Sequence, residues 1–266
     1  MKQLSDSKYV AQQYSDSSNF DARVRIYELF DVSPERWMRW LFPRLGLREG
    51  ERVLEIGCGT GNVWRENAER LPAGVSLTLT DLSPGMLEQA RARLAELEPQ
   101  PDFRLADAQS LPFADASFDA ALSSHMLYHV PDRAKALAEL RRVLCPGGRL
   151  LVATFPWTHL LELRELVERL GLAGGMMAPR REANDFDLER AVDELSAVLT
   201  IERVERRDSA LRVTDVEVLV AYVRSMGSDI DAAALERVRA HIARQIELTG
   251  AFRIQIAAGL VTARKR

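Results

Sequence analysis

From Glu51 to Phe155, short aliphatic runs and helical stretches alternate with a regularity that leaves few folds open. RVLEIG, VSLTLTD, FRLAD, SFDAALSS and RLLVATF read as strands, bounded by glycine, aspartate, serine or proline. Between them, residues 62–71, SPGMLEQARARLAELE and PDRAKALAELRRVL read as helices. Ser83 is placed as an N-cap with Pro84 at the first helical position, and Pro131 and Asp132 open the third helix. That helix is expected to stop at CPGG, because Pro146 cannot continue it and Gly147 or Gly148 tolerates a left-handed backbone. Strand–helix–strand repeats close into a parallel sheet through right-handed crossovers, with helices on both faces.

The flanks follow other rhythms. Before Glu51 the apolar residues Phe20, Val24, Tyr27, Leu29 and Phe30 recur at helical spacing, with Asn19 or Asp21 as possible caps. A second stripe runs through Trp37, Trp40 and Leu41. After Phe155, residues 157–170 read as helix, GLAGGMMAPR as loop, 187–198 as helix and IERVERRDSALRV as strand. Helices over 216–226 and 231–248 follow, then a closing strand, or a hairpin around Gly259, over 253–264. With no repeat and no linker, the reading is a single domain. Residues 1–50 form an N-terminal helical lid, 51–155 the ligand-binding core, and 156–266 the rest of the sheet with an inserted helical cap.

Composition narrows the function classes. Thirty-six Lys and Arg against 39 Asp and Glu give a net charge of −3, too little positive charge for a general nucleic-acid binder. With 47% hydrophobic residues in 266, the chain can build a large core without metal or disulfide staples. Its two cysteines, Cys58 and Cys145, form no metal-type spacing, so no metal is expected. The first residues lack an apolar signal core and no apolar run reaches membrane-spanning length, which leads to the expectation of a cytoplasmic protein without membrane insertion. Oligomeric state is not legible.

The chemistry concentrates in VLEIGCGTG. Gly57, Gly59 and Gly61 close a strand and open a helix, so the backbone can turn sharply and approach a ligand. A dinucleotide fingerprint would place a third glycine at Asn62, and no Lys-Ser/Thr pair follows to make a triphosphate loop. Asp81 ends the next strand, where a carboxylate can accept hydrogen bonds from both ribose hydroxyls. Asp107 ends the third, with Ala108 behind it; their side-chain and backbone groups suit an adenine edge. With Glu55, three carboxylates gather at adjacent strand ends, a field that repels pyrophosphate and attracts a cation. Glu55 also reads as an internal hydrogen-bond partner of the loop amides, a reading favoured over direct ligand contact.

In this order, VLEIGCGTG, LTDLSPGML, DAQSLPFADASFDAALSSHMLYHVPD and LRRVLCPGGRLLV resemble the class I S-adenosylmethionine-dependent methyltransferases, in particular their ubiquinone/menaquinone-biosynthesis-like group. The resemblance covers about residues 51–155. It implies an α/β, Rossmann-like fold, with a mostly parallel seven-stranded sheet whose last strand is antiparallel, and S-adenosylmethionine as cofactor. It also implies site roles. Gly57, Cys58, Gly59 and Gly61 pass under the methionine part, with Glu55 behind them; Asp81 holds the ribose; Leu82 and Met86 flank the adenine; Asp107 and Ala108 read its edge; Ser123 and Ser124 lie near the methyl and the amine. The family's amino-terminal helices close over the cofactor, which makes Tyr14, Arg23 and Arg25 candidates for closing the site and meeting the cofactor carboxylate.

Histidine is the side chain best suited to proton transfer near neutral pH, and His125 just after the fourth strand is the candidate base or a positioning group. His129 is a substrate contact or a packed helix-start residue. Trp157 and His159 border the expected cap and are candidates for lining a substrate pocket, with Met176, Met177, Arg180 and Arg181 beyond them. Methyl transfer is an in-line displacement that leaves neutral sulfur, and the residues permit N, O or C of a small organic acceptor. The alternatives are an NAD-dependent oxidoreductase and a catalytically silent binding module of the same fold.

Overall fold

The computed structural model describes residues 18–171, 186–226 and 231–266. Tyr14, Met176, Met177, Arg180 and Arg181 lie outside them. The elements are α1 (Ser18–Phe30), α2 (Trp37–Leu41), β1 (Arg52–Ile56), α3 (Asn62–Arg65), β2 (Ser76–Asp81), α4 (Pro84–Arg93), β3 (Asp102–Leu105), β4 (Phe118–Ser124), α5 (Arg133–Val143), β5 (Leu144–Thr154), α6 (Leu161–Arg169), α7 (Leu188–Ser196), β6 (Thr200–Val213), α8 (Val216–Ser225), α9 (Ala232–Thr249) and β7 (Phe252–Arg264).

The seven strands form one sheet in the order β3-β2-β1-β4-β5-β7-β6. Strands β1 to β5 pair in parallel, and β7 runs antiparallel to β5. The order runs outward from β1 to β3 and in the other direction from β4 to β5. The carboxyl ends of β1 and β4 therefore flank the switch point where doubly wound sheets bind ligands. Strand residues alternate between two cores. Leu54, Ile56, Ala121 and Val152 pack with Leu137 and Leu140 of α5 on one face, while Val53, Leu79, Leu122 and Leu151 pack with Leu41, Trp64 and Leu87 on the other. Burial on both faces explains why these strands read as continuous apolar runs.

By contacts the chain resolves into two compact units. One comprises Glu35–Thr154, Phe186–Glu205 and Gly259–Arg266; the other comprises the described residues of Met1–Pro34, Phe155–Asp185 and Arg206–Ala258. The second has its own core, in which Ile26, Leu163, Leu219, Val223, Val238, Ile242 and Ile254 are buried.

Ser83 and Asp132 cap their helices as expected, and Asp187 and Asp231 do the same for theirs. Ser83 Oγ accepts from the Met86 amide, Asp132 Oδ1 from Lys135, Asp187 Oδ1 from Arg190 and Asp231 Oδ1 from Ala234. Two boundaries differ from the sequence reading. The helix expected over 62–71 ends at Arg65, because the Asn67 amide turns back to donate to the carbonyls of Val63 and Met38. The helix expected from Trp157 begins at Leu161, after Leu160 in a left-handed conformation (φ +59°). Residues 252–264 form one strand; at Gly259 a Cβ would stand 2.5 Å from Leu188, so the glycine serves close packing of α7.

Candidate cofactor site

The glycine loop sits at the carboxyl end of β1, beside the ends of β2 and β4. Gly57 and Gly61 have φ of +63° and +75°, and a Cβ would meet Met126 or Leu94 at 2.7 Å. Both the left-handed backbone and the close neighbours require glycine there. Gly57→Ala is expected to destabilise the fold by about 2–4 kcal/mol, the sum of a strained backbone and an overpacked neighbour, read as a lower midpoint in urea.

Three loop amides are already donated inside the protein. Cys58 N–H bonds the Thr80 carbonyl at 2.9 Å, Gly61 N–H the Cys58 carbonyl at 3.0 Å, and Gly59 N–H the Asp81 carboxylate (Oδ2) at 2.9 Å. The other oxygen of Asp81 accepts from the Ser83 amide at 2.9 Å. Asp81 thus braces the loop against the turn after β2, and burial pushes its pKa up against the lowering effect of the Ser83, Gly59 and Leu82 amides. The carboxylate keeps lone-pair capacity for a diol.

Around Asp81 lies apolar surface. Leu82 is 53% exposed, and Leu105, paired with Asp81 across β2 and β3, is 58% exposed, while Met86 in the first turn of α4 is buried. Two large exposed aliphatic side chains at a strand end suit one face of a purine. Asp107 is exposed and accepts from both the backbone and side-chain amides of Gln109; Ala108 is buried behind it.

Glu55 corrects one expectation. Its carboxylate is buried and accepts from Trp64 Nε1 at 2.6 Å. Burial pushes its pKa up to about 8; the Trp64 bond lowers it and nearby Asp81 raises it further. Near neutral pH Glu55 therefore adds little negative charge to the loop. Cys58 is buried as well, and desolvation together with Glu55 and Asp81 pushes its thiol well above the ordinary range, so it packs as a small apolar residue.

At the end of β4, Ser123 is fully buried and its Oγ has no hydrogen-bond partner among the described residues; Ser124 is half-buried. His125 has φ +54°, rare for a residue with a side chain, and is held there by its amide bonding the Ala153 carbonyl at 2.9 Å. Its ring lies 5.4 Å from that of Trp37. His129 ends a single 3-10 turn, with its ring 4.5 Å from Tyr128, so the two histidines do not share a helix face as their spacing allowed.

Three of the other expected residues belong to the second unit. Arg23 is buried and its guanidinium donates to Ser225, to both the carbonyl and the hydroxyl. His159 is 3% exposed; its Nδ1 accepts from the Ala257 amide at 3.2 Å, which leaves the proton on Nε2, 3.0 Å from the Tyr27 hydroxyl. Phe155 stacks on the same ring at 4.0 Å. Both nitrogens of His159 thus work inside the fold. Trp157 is exposed. Sequence reading missed Trp64 as the partner of Glu55, Leu105 beside Asp81, and Trp37 against His125. Each was legible only as an apolar residue.

Residues 54–152 match the family model described as a methyltransferase domain. The chain is 36% identical over 133 residues to a ubiquinone/menaquinone biosynthesis C-methyltransferase of Geobacter sp. (strain M21), covering 49% of this chain and 57% of that one. It is 39% identical over 128 residues to an O-methyltransferase of Aspergillus sclerotiorum, covering 47% and 48%. The chain thus spans about half the length of the curated relatives it matches. Among solved structures, the [4+2]-cyclase SpnF shares the fold, with a TM-score of 0.62 at 21% identity over 100% of this chain and 98% of that one. The glycine loop, the Asp81 brace and the β4 corner all fall within the segment that matches the methyltransferase-domain model.

Proposed function

We propose that this protein transfers the methyl group of S-adenosylmethionine to a nitrogen, oxygen or carbon of a small organic molecule. The observation that carries the reading is the internal donation of the Cys58, Gly59 and Gly61 amides. A loop whose amides point inward offers little to a pyrophosphate, whereas Asp81 beside it offers a charged acceptor to a ribose and a favourable field to a cation. This weighs against the NAD-dependent alternative. The fold alone does not decide activity, since SpnF performs a cyclisation on it; the sequence likeness to methyltransferases over 54–152 supports transfer.

The residues present fit the cofactor. Asp81 accepts from the ribose diol, Leu82, Met86 and Leu105 flank the adenine, Asp107 and Ala108 meet its edge, and the unpartnered Ser123 Oγ supplies a polar group beside the loop. The cofactor supplies an electrophilic methyl on a positively charged sulfur. The chain's own work is to orient the acceptor in line with that bond, exclude water, and remove a proton where the acceptor carries one. His125, fixed at the carboxyl edge by its backbone, is proposed as that base; an acceptor that is already an anion, or a neutral amine, needs none. Glu55 acts through Trp64 and the loop.

A small-molecule acceptor is proposed over nucleic acid, in keeping with the net charge of −3. No helix among the described residues is long and apolar enough to cross a membrane, and a cytoplasmic location is proposed. The test is calorimetric titration with S-adenosylmethionine and with NAD. Saturable binding of the former at micromolar concentrations, and a rise in Tm with it alone, is expected. A folded protein that binds neither, or only NAD, sinks the reading. Release of S-adenosylhomocysteine in the presence of any of a panel of phenol, amine and carboxylic acid acceptors would exclude the silent binding module.

A further inference from the structure

Trp37 carries an anomaly that the site as described does not use. Its indole Nε1 is buried and has no hydrogen-bond partner among the described residues. Trp64 shows how this fold treats an indole buried for structure: Nε1 donates to Glu55. Leaving such a donor without an acceptor is costly enough that native structures seldom do so without a reason.

The position of Trp37 supplies one. It opens α2, which is tied to the segment after α3 by the Asn67–Met38 hydrogen bond, and α3 springs directly from the glycine loop. One neighbour of its ring is Trp40, stacked at 5.0 Å and 22°; another is His125 at 5.4 Å. Trp37 therefore stands at the carboxyl edge of the sheet, beside the strained corner that ends β4. An indole N–H only donates, so its partner must be an acceptor. On the reading above, S-adenosylmethionine brings three sets of acceptors. The ribose belongs to Asp81 and the adenine to the ends of β2 and β3, on the other side of β1 from β4. The methionine carboxylate remains. Arg23, one of the residues expected to meet it, donates to Ser225, and the loop amides of Cys58, Gly59 and Gly61 are donated inward.

We propose that Trp37 is a cofactor-binding residue whose Nε1–H donates to the carboxylate of the methionine part of S-adenosylmethionine. The inference rests on the methyltransferase reading, and the experiment separates the two. Calorimetry compares the wild type and Trp37→Phe, which keeps the aromatic packing and removes the donor. The probes are S-adenosylhomocysteine and 5′-methylthioadenosine, which has the same adenosine and thioether but no amino-carboxylate. A lost hydrogen bond to a charged group corresponds to about tenfold or more in affinity. Trp37→Phe is expected to weaken S-adenosylhomocysteine by that factor and to leave 5′-methylthioadenosine unchanged. Equal loss for both probes, or loss for neither, overturns the proposal while leaving the methyltransferase reading intact. A folded wild type that fails to bind S-adenosylhomocysteine overturns both. Independently of any variant's folding, the Trp37 indole proton in the wild type is expected to shift downfield in an NMR titration with S-adenosylhomocysteine and to stay in place with 5′-methylthioadenosine. An unmoved resonance with the first, or an equal shift with both, counts against the carboxylate contact.

Discussion

Asp81→Ala is expected to lower affinity for S-adenosylhomocysteine by about 10²- to 10⁴-fold. The estimate takes two charge-assisted hydrogen bonds to a ribose diol at about 1.5–3 kcal/mol each. The variant acts a second time through the loop: Gly59 N–H and Ser83 N–H lose the carboxylate that both donate to, at 2.9 Å each. The loss of stability is smaller than the loss of affinity, about 1–2 kcal/mol, because removing a partly desolvated carboxylate relieves some of the cost of burying it. Asp81→Asn separates the two effects. Its single carbonyl oxygen can accept from one of the two amides, while its NH2 group confronts the other, so the loop is disturbed with the side-chain volume unchanged. Calorimetry with S-adenosylhomocysteine and thermal melts of all three proteins check this. An Asp81→Ala protein that binds S-adenosylhomocysteine like the wild type would remove Asp81 from the site.

The second large effect concerns stability against pH. Glu55 is held in the fold with a pKa of about 8, whereas the ordinary value for an unfolded chain is 4.5. Between these values the folded protein keeps a proton that the unfolded chain releases. Stability therefore falls as pH rises through this window, at up to about 1.4 kcal/mol per pH unit. The full contribution is present below pH 4.5, and above about pH 8 roughly 5 kcal/mol of it is gone, as an upper bound. Glu55→Gln removes the titration while leaving a carbonyl oxygen for Trp64 Nε1. The variant is expected to lose the Glu55 part of the pH dependence, and its advantage over the wild type is expected to grow steadily from pH 5 to pH 8. Urea denaturation at a series of pH values measures it. Parallel curves for the two proteins would mean that Glu55 ionises normally in the fold.

The elements that the sequence made legible share one physical property: their signals are local. A strand buried on both faces must be aliphatic along its length, so RVLEI and the run over 150–154 declare themselves. Ser83, Asp132, Asp187 and Asp231 satisfy helix amides within three residues of themselves, and their spacing shows it. The helix expected over 62–71 failed for the complementary reason. Asn67 reads as a tolerable helix residue until its side chain reaches Met38, a partner 29 positions away.

The site divides along the same line. The sequence by itself determined the alternating parallel sheet, the glycine turn that β1 feeds, and the aspartate at the end of β2. Each follows from backbone sterics, periodicity or a fixed offset between neighbouring residues. Only the tertiary structure decided which carboxyls are charged and which donors lack acceptors. The raised pKa of Glu55, the donation of Gly59 to Asp81, the unpartnered indole of Trp37 and the engagement of His159 by Tyr27 and Ala257 all arise between residues distant in the chain. Ionisation and hydrogen-bond satisfaction depend on solvent exclusion and on distances of a few ångström between groups that the chain brings together only on folding, and no pattern in the sequence encodes them locally.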